Sequence, residues 1–284
     1  MMVKIRKGRM RDCADILTVY QTTRWLQKKY ITVEEVKEEH RGLFFRRWGW
    51  LVAEIDEKVV GETTVRLERN PVSGRIGIVR TMDVDVRHQK KGVGTSLARA
   101  AETILRKRKA VRVVADSPPE AYNFWMKIGY FARGSLLDIS IKRENLPEPP
   151  SKDFDIGDIE EVERLPASLK YSHMAHPGLL AELARDVLVF GEKGRVLEFR
   201  LDGKPAGTGV VKVDDQKRAY FVADINRRGK QHLGEAIVRT ARASHRWRAT
   251  DVCTTIPKER LTYYEEAAPW NANPCRTIPV TRLL

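Results

Sequence analysis

The 284-residue chain is 42% hydrophobic and carries a formal net charge of +14, which suits a packed core and argues against wholesale disorder. No apolar run approaches the ~20 residues that a bilayer span needs. The basic start Met1-Met2-Val3-Lys4-Ile5-Arg6-Lys7 has no apolar segment behind it, so no secretory signal is expected there and a soluble cytoplasmic protein is. Three cysteines, Cys13, Cys253 and Cys275, lie far apart with no Cys-x-x-Cys pair; neither a disulfide framework nor a zinc site is expected.

Two domains of ordinary size fit this length. Val3–Arg6 alternates and reads as a first strand. Asp12 to about Leu26 places Ile16, Leu17, Tyr20 and Leu26 near helical spacing. Thr32, with Glu35 three residues on, caps a second helix. Trp50–Ile55 and Val59–Leu67 form a hairpin around Asp56-Glu57-Lys58. Asn70-Pro71-Val72-Ser73-Gly74 is a turn. Arg75–Val86 is a strand. Thr95 to about Arg106 is a helix with Leu97, Ala101, Ile104 and Leu105 on one face, closed by Arg106-Lys107-Arg108-Lys109 where a helix end favours cations. Val111–Ala115 is a strand, Glu120–Ile128 a short helix stopped by Gly129, and Tyr130–Lys142 further strand.

Pro147, Pro149 and Pro150 then fall within four positions, which regular structure does not tolerate. The expected division is a first domain over 1–144, a linker over 145–152 and a second domain over 153–284. In the second, helices are expected near Asp158–Leu165 and Gly178–Val187. Strands follow at Val196–Leu201, Gly207–Val213 and Lys217–Ile225, with Asp202-Gly203 turning the first pair. Leu233–Ala241 is a helix, Asp251–Ile256 a strand and Pro257–Ala268 a short helix. Gly94 precedes Pro118 by 24 residues and Gly234 precedes Pro257 by 23. Seven residues after each proline stands an aromatic, Trp125 or Tyr264. Matching order at matching spacing suggests two copies of one fold.

The stretch Met82 to Leu97 runs an alternating strand into a basic turn with glycines, and the turn opens a helix. Free N–H groups and the helix dipole at such a start hold anions, and glycine lets the backbone come close. The Gln-x-x-Gly-x-Gly pattern, Gln89 to Gly94, resembles the acyl-CoA pyrophosphate loop of the GNAT N-acetyltransferase superfamily. A second stretch supports the resemblance: Ala121, Phe124, Gly129 and Tyr130 match that family's Asn-x-x-Ala-x-x-apolar-Tyr-x-x-x-Gly-Phe. Pro118 stands where Asn is usual and Trp125 where Tyr is usual.

The resemblance covers roughly residues 3–142 and implies an α+β fold: two tandem GNAT-like domains, each a mixed, mostly antiparallel sheet flanked by helices. It implies that the backbone of Val84, Asp85 and Val86 pairs with the pantetheine arm of acetyl-CoA, the co-substrate. The loop Gln89, Lys90, Lys91, Gly92, Val93, Gly94 and Thr95 takes the pyrophosphate, with Arg87 and the two lysines reinforcing the charge. Trp125 occupies the position of the thiolate acid, although an indole N–H is a donor rather than an acid near neutral pH. The base that deprotonates the amine is sought in Asp83 or Asp85 on the cradle strand and in Glu62 on its neighbour. For Asp83 and Asp85 an exposed polar face opposite Met82, Val84 and Val86 is the competing reading.

In the second copy Tyr264, preceded by Tyr263, takes the acid position, but His232 replaces the glycine equivalent to Gly92. That copy is read as degenerate. No metal site is expected, and His173-Met174-Ala175-His176 reads as a loop. Gly92-Val93-Gly94 is neither a P-loop nor a dinucleotide fingerprint. Arg46-Arg47-Trp48-Gly49-Trp50 interleaves basic and aromatic residues, with Trp50 alternatively the start of a core strand. Arg239, Arg242, His245, Arg246 and Arg248 form a polyanion patch or a solvated helix end. Two functions remain open. One is an acetyl-CoA-dependent N-acetyltransferase acting by direct attack of an unidentified primary amine. The other is a non-catalytic CoA-binding module for nucleic acid or another acidic partner. The acceptor of the first is set by Gln21–Val33 and late loops.

Overall fold

The computed structural model describes residues 2–23, 32–41, 45–70, 74–161, 164–165 and 179–284. In chain order its elements begin with β1 (Lys4–Lys7), α1 (Cys13–Thr22), α2 (Val33–Glu39), β2 (Trp50–Ile55), β3 (Lys58–Asn70) and β4 (Gly74–Val84). They continue with α3 (Val93–Lys107), β5 (Arg112–Ser117), α4 (Pro119–Lys127), β6 (Phe131–Ala132), β7 (Leu136–Lys142), β8 (Asp155–Asp158), α5 (Leu179–Leu188) and β9 (Gly194–Leu201). The last are β10 (Lys204–Val213), β11 (Arg218–Ile225), α6 (Leu233–Arg242), β12 (Asp251–Pro257), α7 (Leu261–Glu265), β13 (Asn271–Pro274) and β14 (Ile278–Leu283). Two seven-stranded sheets result, ordered β1-β2-β3-β4-β5-β14-β6 and β13-β7-β12-β11-β10-β9-β8. In each, a four-stranded antiparallel run ends in one parallel pair, β4 with β5 or β11 with β12. This is a tandem α+β fold.

Local chemistry explains the elements. Asp56 and Glu57 (φ 47° and 63°) turn β2 into β3, and Asp202 and Gly203 (φ 50° and 71°) turn β9 into β10; successive left-handed residues match the strand twist of a tight hairpin. Thr32 and Glu35 close a capping box, with Thr32 N–H to Glu35 Oε2 at 2.8 Å and Glu35 N–H to Thr32 Oγ1 at 3.3 Å. Along α3, Val93, Leu97, Ala98, Ala101 and Leu105 are buried, a stripe at helical spacing. The stripe lies on the sheet face of Gly61 and Gly77, where a Cβ would collide with Leu97 or Leu105. The opposite face packs Val52, Trp50 and Val59 against Cys13, Ile16 and Tyr20 of α1 and Val36 of α2. In the second sheet, Phe199, Val211 and Phe221 pack against Leu233 and Ile237 of α6. Val196, Val210 and Val222 pack against Leu180 and Ala184 of α5.

The chain divides into two compact units, residues 1–116, 121–131 and 280–284 and residues 117–120 and 132–279. The proline segment 145–152 therefore falls inside the second unit. The expected single strand over Tyr130–Lys142 is broken by Gly134 (φ +77°) into β6, in the first sheet, and β7, in the second. β7 pairs with β12 over seven residues, Asp251↔Lys142 to Pro257↔Leu136, and that ladder takes residues 136–142 into the second unit. The C-terminal strand β14 joins the first sheet, where Thr281 Oγ1 donates to Val113 O at 2.9 Å. Asp155–Asp158 pairs with β9, so the helix expected near Asp158–Leu165 does not start at Asp158; residues 162 and 163 of that span lie outside the described residues.

Val280 is fully buried although only four residues follow it in the sequence. Val280→Ala is expected to lower stability by about 2 kcal/mol in urea unfolding; a loss below about 0.5 kcal/mol, the range of surface substitutions, would show that β14 contributes no core.

Candidate functional site: a diverging strand and an open helix start

β4 pairs in parallel with β5 over Ile76↔Arg112, Gly77↔Val113 and Ile78↔Val114, and the strands then run on to Val84 and Ser117. β4 keeps its ladder with β3 to Gly61↔Val84, and Asp85 N–H donates to Val60 O at 3.0 Å. Antiparallel alternation then turns the backbone groups of Asp83 and Asp85 toward β3 and those of Met82 and Val84 toward the β5 side. The Val84 carbonyl accepts from Gln89 Nε2 at 3.1 Å. Gly92 caps α3 with φ +84° and no side-chain cap bond, and a Cβ there would meet nothing within 4 Å. Ser96 N–H reaches Gly92 O at 3.0 Å, so the amides of Val93, Gly94 and Thr95 precede the first intrahelical bond. At Gly94 a Cβ would lie 3.2 Å from the Phe124 ring; α4 closes directly onto the helix start. A backbone edge and an anion-binding helix end thus sit side by side.

The neighbouring residues shape this turn. The Asp85 carboxylate, buried, accepts from Arg87 N–H at 2.9 Å and Arg87 Nη2 at 2.5 Å, and the guanidinium holds its pKa below the usual carboxylate range. Val86 N–H donates to Thr22 Oγ1 at 3.3 Å, and Lys91 Nζ donates to Arg87 O at 2.9 Å. Asp85 and Val86 therefore build the turn, with their N–H groups already engaged, and Arg87 is committed to Asp85. Asp83 and Asp85 are both buried, while Val86 is 57% exposed. The exposed polar face weighed for this strand is absent.

On the α1–α2 side stands Glu62, opposite Asp83 in the ladder and fully buried. Its carboxylate accepts from Tyr20 Oη, from Trp50 Nε1 at 3.0 Å and pairs with His40 Nε2 at 3.1 Å. The other nitrogen of His40 lies 2.6 Å from Val36 O. Both ring nitrogens thus face acceptors, which calls for a proton on each. Burial opposes that charge, but Glu62 outweighs it and the His40 pKa is raised. Burial, aided by Glu62, pushes the nearby Cys13 thiol up to about 11. Glu62 is a three-donor anchor between two helices and two strands, a geometry unlike that of a free base.

Trp125 is buried, its ring 5.2 Å from Phe124 and 4.7 Å from Tyr130. Burial raises the Tyr130 pKa, and its hydroxyl bonds Glu102. Glu102 in turn pairs with Arg99 at 2.9 Å and with Arg282 of β14 at 3.7 Å.

The matching place in the second unit is closed. His232 caps α6 with φ −107°. Its Nδ1 pairs with Asp153 at 3.0 Å and its ring lies 5.6 Å from Phe154. Glu235, where the first copy has Thr95, is buried and accepts from Ser151 Oγ at 2.6 Å, Asp153 N–H at 3.0 Å and Arg239 Nε at 2.7 Å. Segment 151–154 lies across the helix start. Asp153, His232 and Glu235 are close enough to ligate an ion, but both Glu235 oxygens already accept hydrogen bonds and a guanidinium is beside one of them. Tyr264 is fully buried and its pKa is raised by burial and by Asp224; Tyr263 is partly exposed.

Trp50 is buried at the head of β2, and the Trp48 ring lies 3.9 Å under the Arg108 guanidinium. His173–His176, residues 24–31 of the Gln21–Val33 segment and Pro71–Ser73 lie outside the described residues. Sequence reasoning missed the Met82 backbone edge, the Gln89 side chain, the Phe124 lid and the donors to Glu62. The alternation of Asp83 and Asp85 with Met82, Val84 and Val86 was the available signal that the two acids share one face.

The splayed mixed sheet beside an open helix start is an α+β arrangement with room for an anionic ligand. Residues 14–130 match the model of the acetyltransferase (GNAT) family. The whole chain has the tandem GNAT fold. It resembles a GCN5-related N-acetyltransferase from Anabaena variabilis (TM-score 0.69, 11% identity, 99% of this chain and 73% of that one). It also resembles one from Sphaerobacter thermophilus (0.56, 13%, 99% and 95%) and a tandem GNAT protein from the clavulanic acid biosynthesis pathway (0.57, 10%, 99% and 98%). At these identities the likeness is one of fold. Among the described residues no helix is long and apolar enough to cross a membrane.

Asp224 on β11 is buried with Oδ1 unpartnered, and burial pushes its pKa from 3.8 up to about 7. The folded state therefore holds this proton more tightly than the unfolded chain, and the contribution to stability falls as pH rises from about 4 to about 7. Asp224→Asn removes that loss. Its melting temperature should exceed the parent's by several degrees at pH 8 and by little at pH 4; an equal gain at both would show that Asp224 does not titrate this way.

Proposed function

We propose that this protein is an acetyl-CoA-dependent N-acetyltransferase that works from its first unit and transfers acetyl to a primary amine by direct attack. The carrying observation is the β4 edge at Met82 and Val84 beside the uncapped helix start at Gly92. The residues fit the co-substrate: a left-handed glycine facing open space admits a phosphate, and Gln89 to Thr95 supply the surrounding amides and lysines. Acetyl-CoA brings the activated thioester. In this reading Met82 and Val84 offer backbone groups to the pantetheine arm and a donor to the carbonyl oxygen. Asp85, Val86 and Arg87 hold the turn that aims them.

Asp83 is the residue proposed to take the ammonium proton, with Glu62 as the anchor behind it. Trp125 packs the sulfur side and offers at most a hydrogen bond, so the leaving thiolate draws its proton from water. Alignment of amine and thioester supplies much of the rate. Support for the alternative, a non-catalytic module with an acidic partner, comes from the same buried Trp125 and saturated Glu62, and from the +14 charge. Measured transfer of acetyl to any simple amine removes it.

Calorimetric titration with acetyl-CoA should show saturable binding that Gly92→Trp abolishes; no binding, or binding indifferent to Gly92→Trp, removes the whole reading. Incubation of labelled acetyl-CoA with a cell extract identifies the acceptor. With it in hand, Asp83→Asn should lower kcat by about 100-fold, while Trp125→Phe costs at most about threefold. An unchanged kcat in Asp83→Asn assigns the proton transfer to water.

A further inference from the structure

In the second unit a cavity of about 420 Å³ lies beside the C-terminal half of α6, within the size range of small-molecule sites. Its wall carries four cations, Lys152, Arg195, Arg239 and Arg242, and one acid, Glu148. Pro149, Ile156, Leu197 and Ala243 complete its lining. Two of the cations are committed. Arg195 holds Asp158 through Nε and Nη2 at 2.5 and 2.8 Å, and Arg239 Nε holds the buried Glu235 at 2.7 Å.

The other two hold no buried acid. Arg242 Nη1 reaches the Leu146 and Pro147 carbonyls at 3.2 and 3.0 Å. Its Nη2 takes Glu148 at 2.6 Å, a side chain that is 78% exposed. The carboxylate side of the pair is open to water, so Glu148 exchanges readily, whereas the Arg242 side chain is 28% exposed. Lys152 is exposed and has no ion pair among the described residues. The field at this end of α6 is positive: after burial, Arg242 and Arg143 are what depress the pKa of His245. Glu148 is in effect an internal anion standing on an arginine that an external one would occupy.

We propose that this cleft binds a phosphomonoester carried on a short apolar chain. The dianion engages Lys152 and displaces Glu148 from Arg242, where a guanidinium suits phosphate geometry. The chain lies on Ile156, Leu197 and Ala243. The site is independent of acetyl transfer, and it assigns part of the basic helix end to a defined small anion in place of a diffuse polyanion surface.

The test is calorimetric titration of the full chain with hexyl phosphate at pH 7.5 and low salt. One saturable site is expected. Lys152→Gln should weaken it about five-fold, and Glu148→Gln, which removes the competing carboxylate, should tighten it several-fold. Lys58→Gln, an exposed lysine of the other unit, should leave it unchanged. Inorganic phosphate should bind at least about ten-fold more weakly, because it buries no methylene groups. The proposal is overturned by any of four results: no saturable binding; equal weakening by Lys152→Gln and Lys58→Gln, the mark of general charge attraction; loss in Gly92→Trp in place of Lys152→Gln; or inorganic phosphate binding as tightly as hexyl phosphate.

Discussion

The parting of β4 from β5 after Ile78↔Val114 is the constraint on which the first unit turns. A parallel pair that stayed together would use up the backbone of Met82 and Val84 in its own ladder. Once the strands diverge, that edge has to be held open by something else. β3 holds β4 from behind as far as Val84, Gln89 fastens the last carbonyl, and Asp85 clamps the turn through Arg87. On the other face Glu62 binds α1, α2, β2 and β3 into one block through Tyr20, His40 and Trp50. A fully buried carboxylate is costly unless compensated, and three donors with a protonated imidazole supply that compensation. The Glu62 anchor on β3 and the open edge of β4 thus lie on two strands that pair over one ladder.

How much of this the sequence discloses follows from the range of each interaction. The hairpin turns at Asp56-Glu57 and Asp202-Gly203, the capping box at Thr32 and the stripe on α3 involve neighbours within four residues, and each is readable as pattern. Gly92 is readable because only a glycine at a helix start tolerates φ +84° at no cost; other residues lose about 1 kcal/mol or more there. The destinations of β7 and β14 are not readable. Both are ordinary alternating strands, and which sheet takes them depends on ladders with β12 and β5, more than a hundred residues away. Glu62 fails to read for the same reason. Its donors come from 42, 22 and 12 residues away, so a strand acid that looks like a base in one dimension is an anchor in three.

Comparison of the two helix starts shows what separates an open cradle from a closed one. Gly92 leaves space above α3; His232 fills the equivalent place in α6 with a ring that meets Asp153 and Phe154. Thr95 is small, whereas Glu235 puts a buried carboxylate on the same turn. That carboxylate accepts from Ser151 and from the Asp153 amide, so the second unit satisfies its helix start with its own chain. An incoming diphosphate would have to displace segment 151–154 and face Glu235. The cations of α6 then serve other ends: Arg239 neutralises Glu235, and Arg242 supports the carbonyls of the proline segment.

The aromatic seven residues after each proline carries a further lesson. By spacing Trp125 and Tyr264 are equivalent, and the phenol looks like the better acid. Yet Trp125 sits among Phe124 and Tyr130, and Tyr264 lies 6.3 Å from Trp270 beside a buried Asp224. A phenol whose pKa is driven up by burial and a nearby carboxyl gives up its proton less readily than one in water. The position is therefore first a packing position in both units, and proton donation requires that a ring there also reach a ligand. In the second unit the closed helix start removes that opportunity. In the first, the helix start stays open at Gly92, but the ring on α4 is an indole buried against Phe124 and Tyr130, a donor rather than an acid.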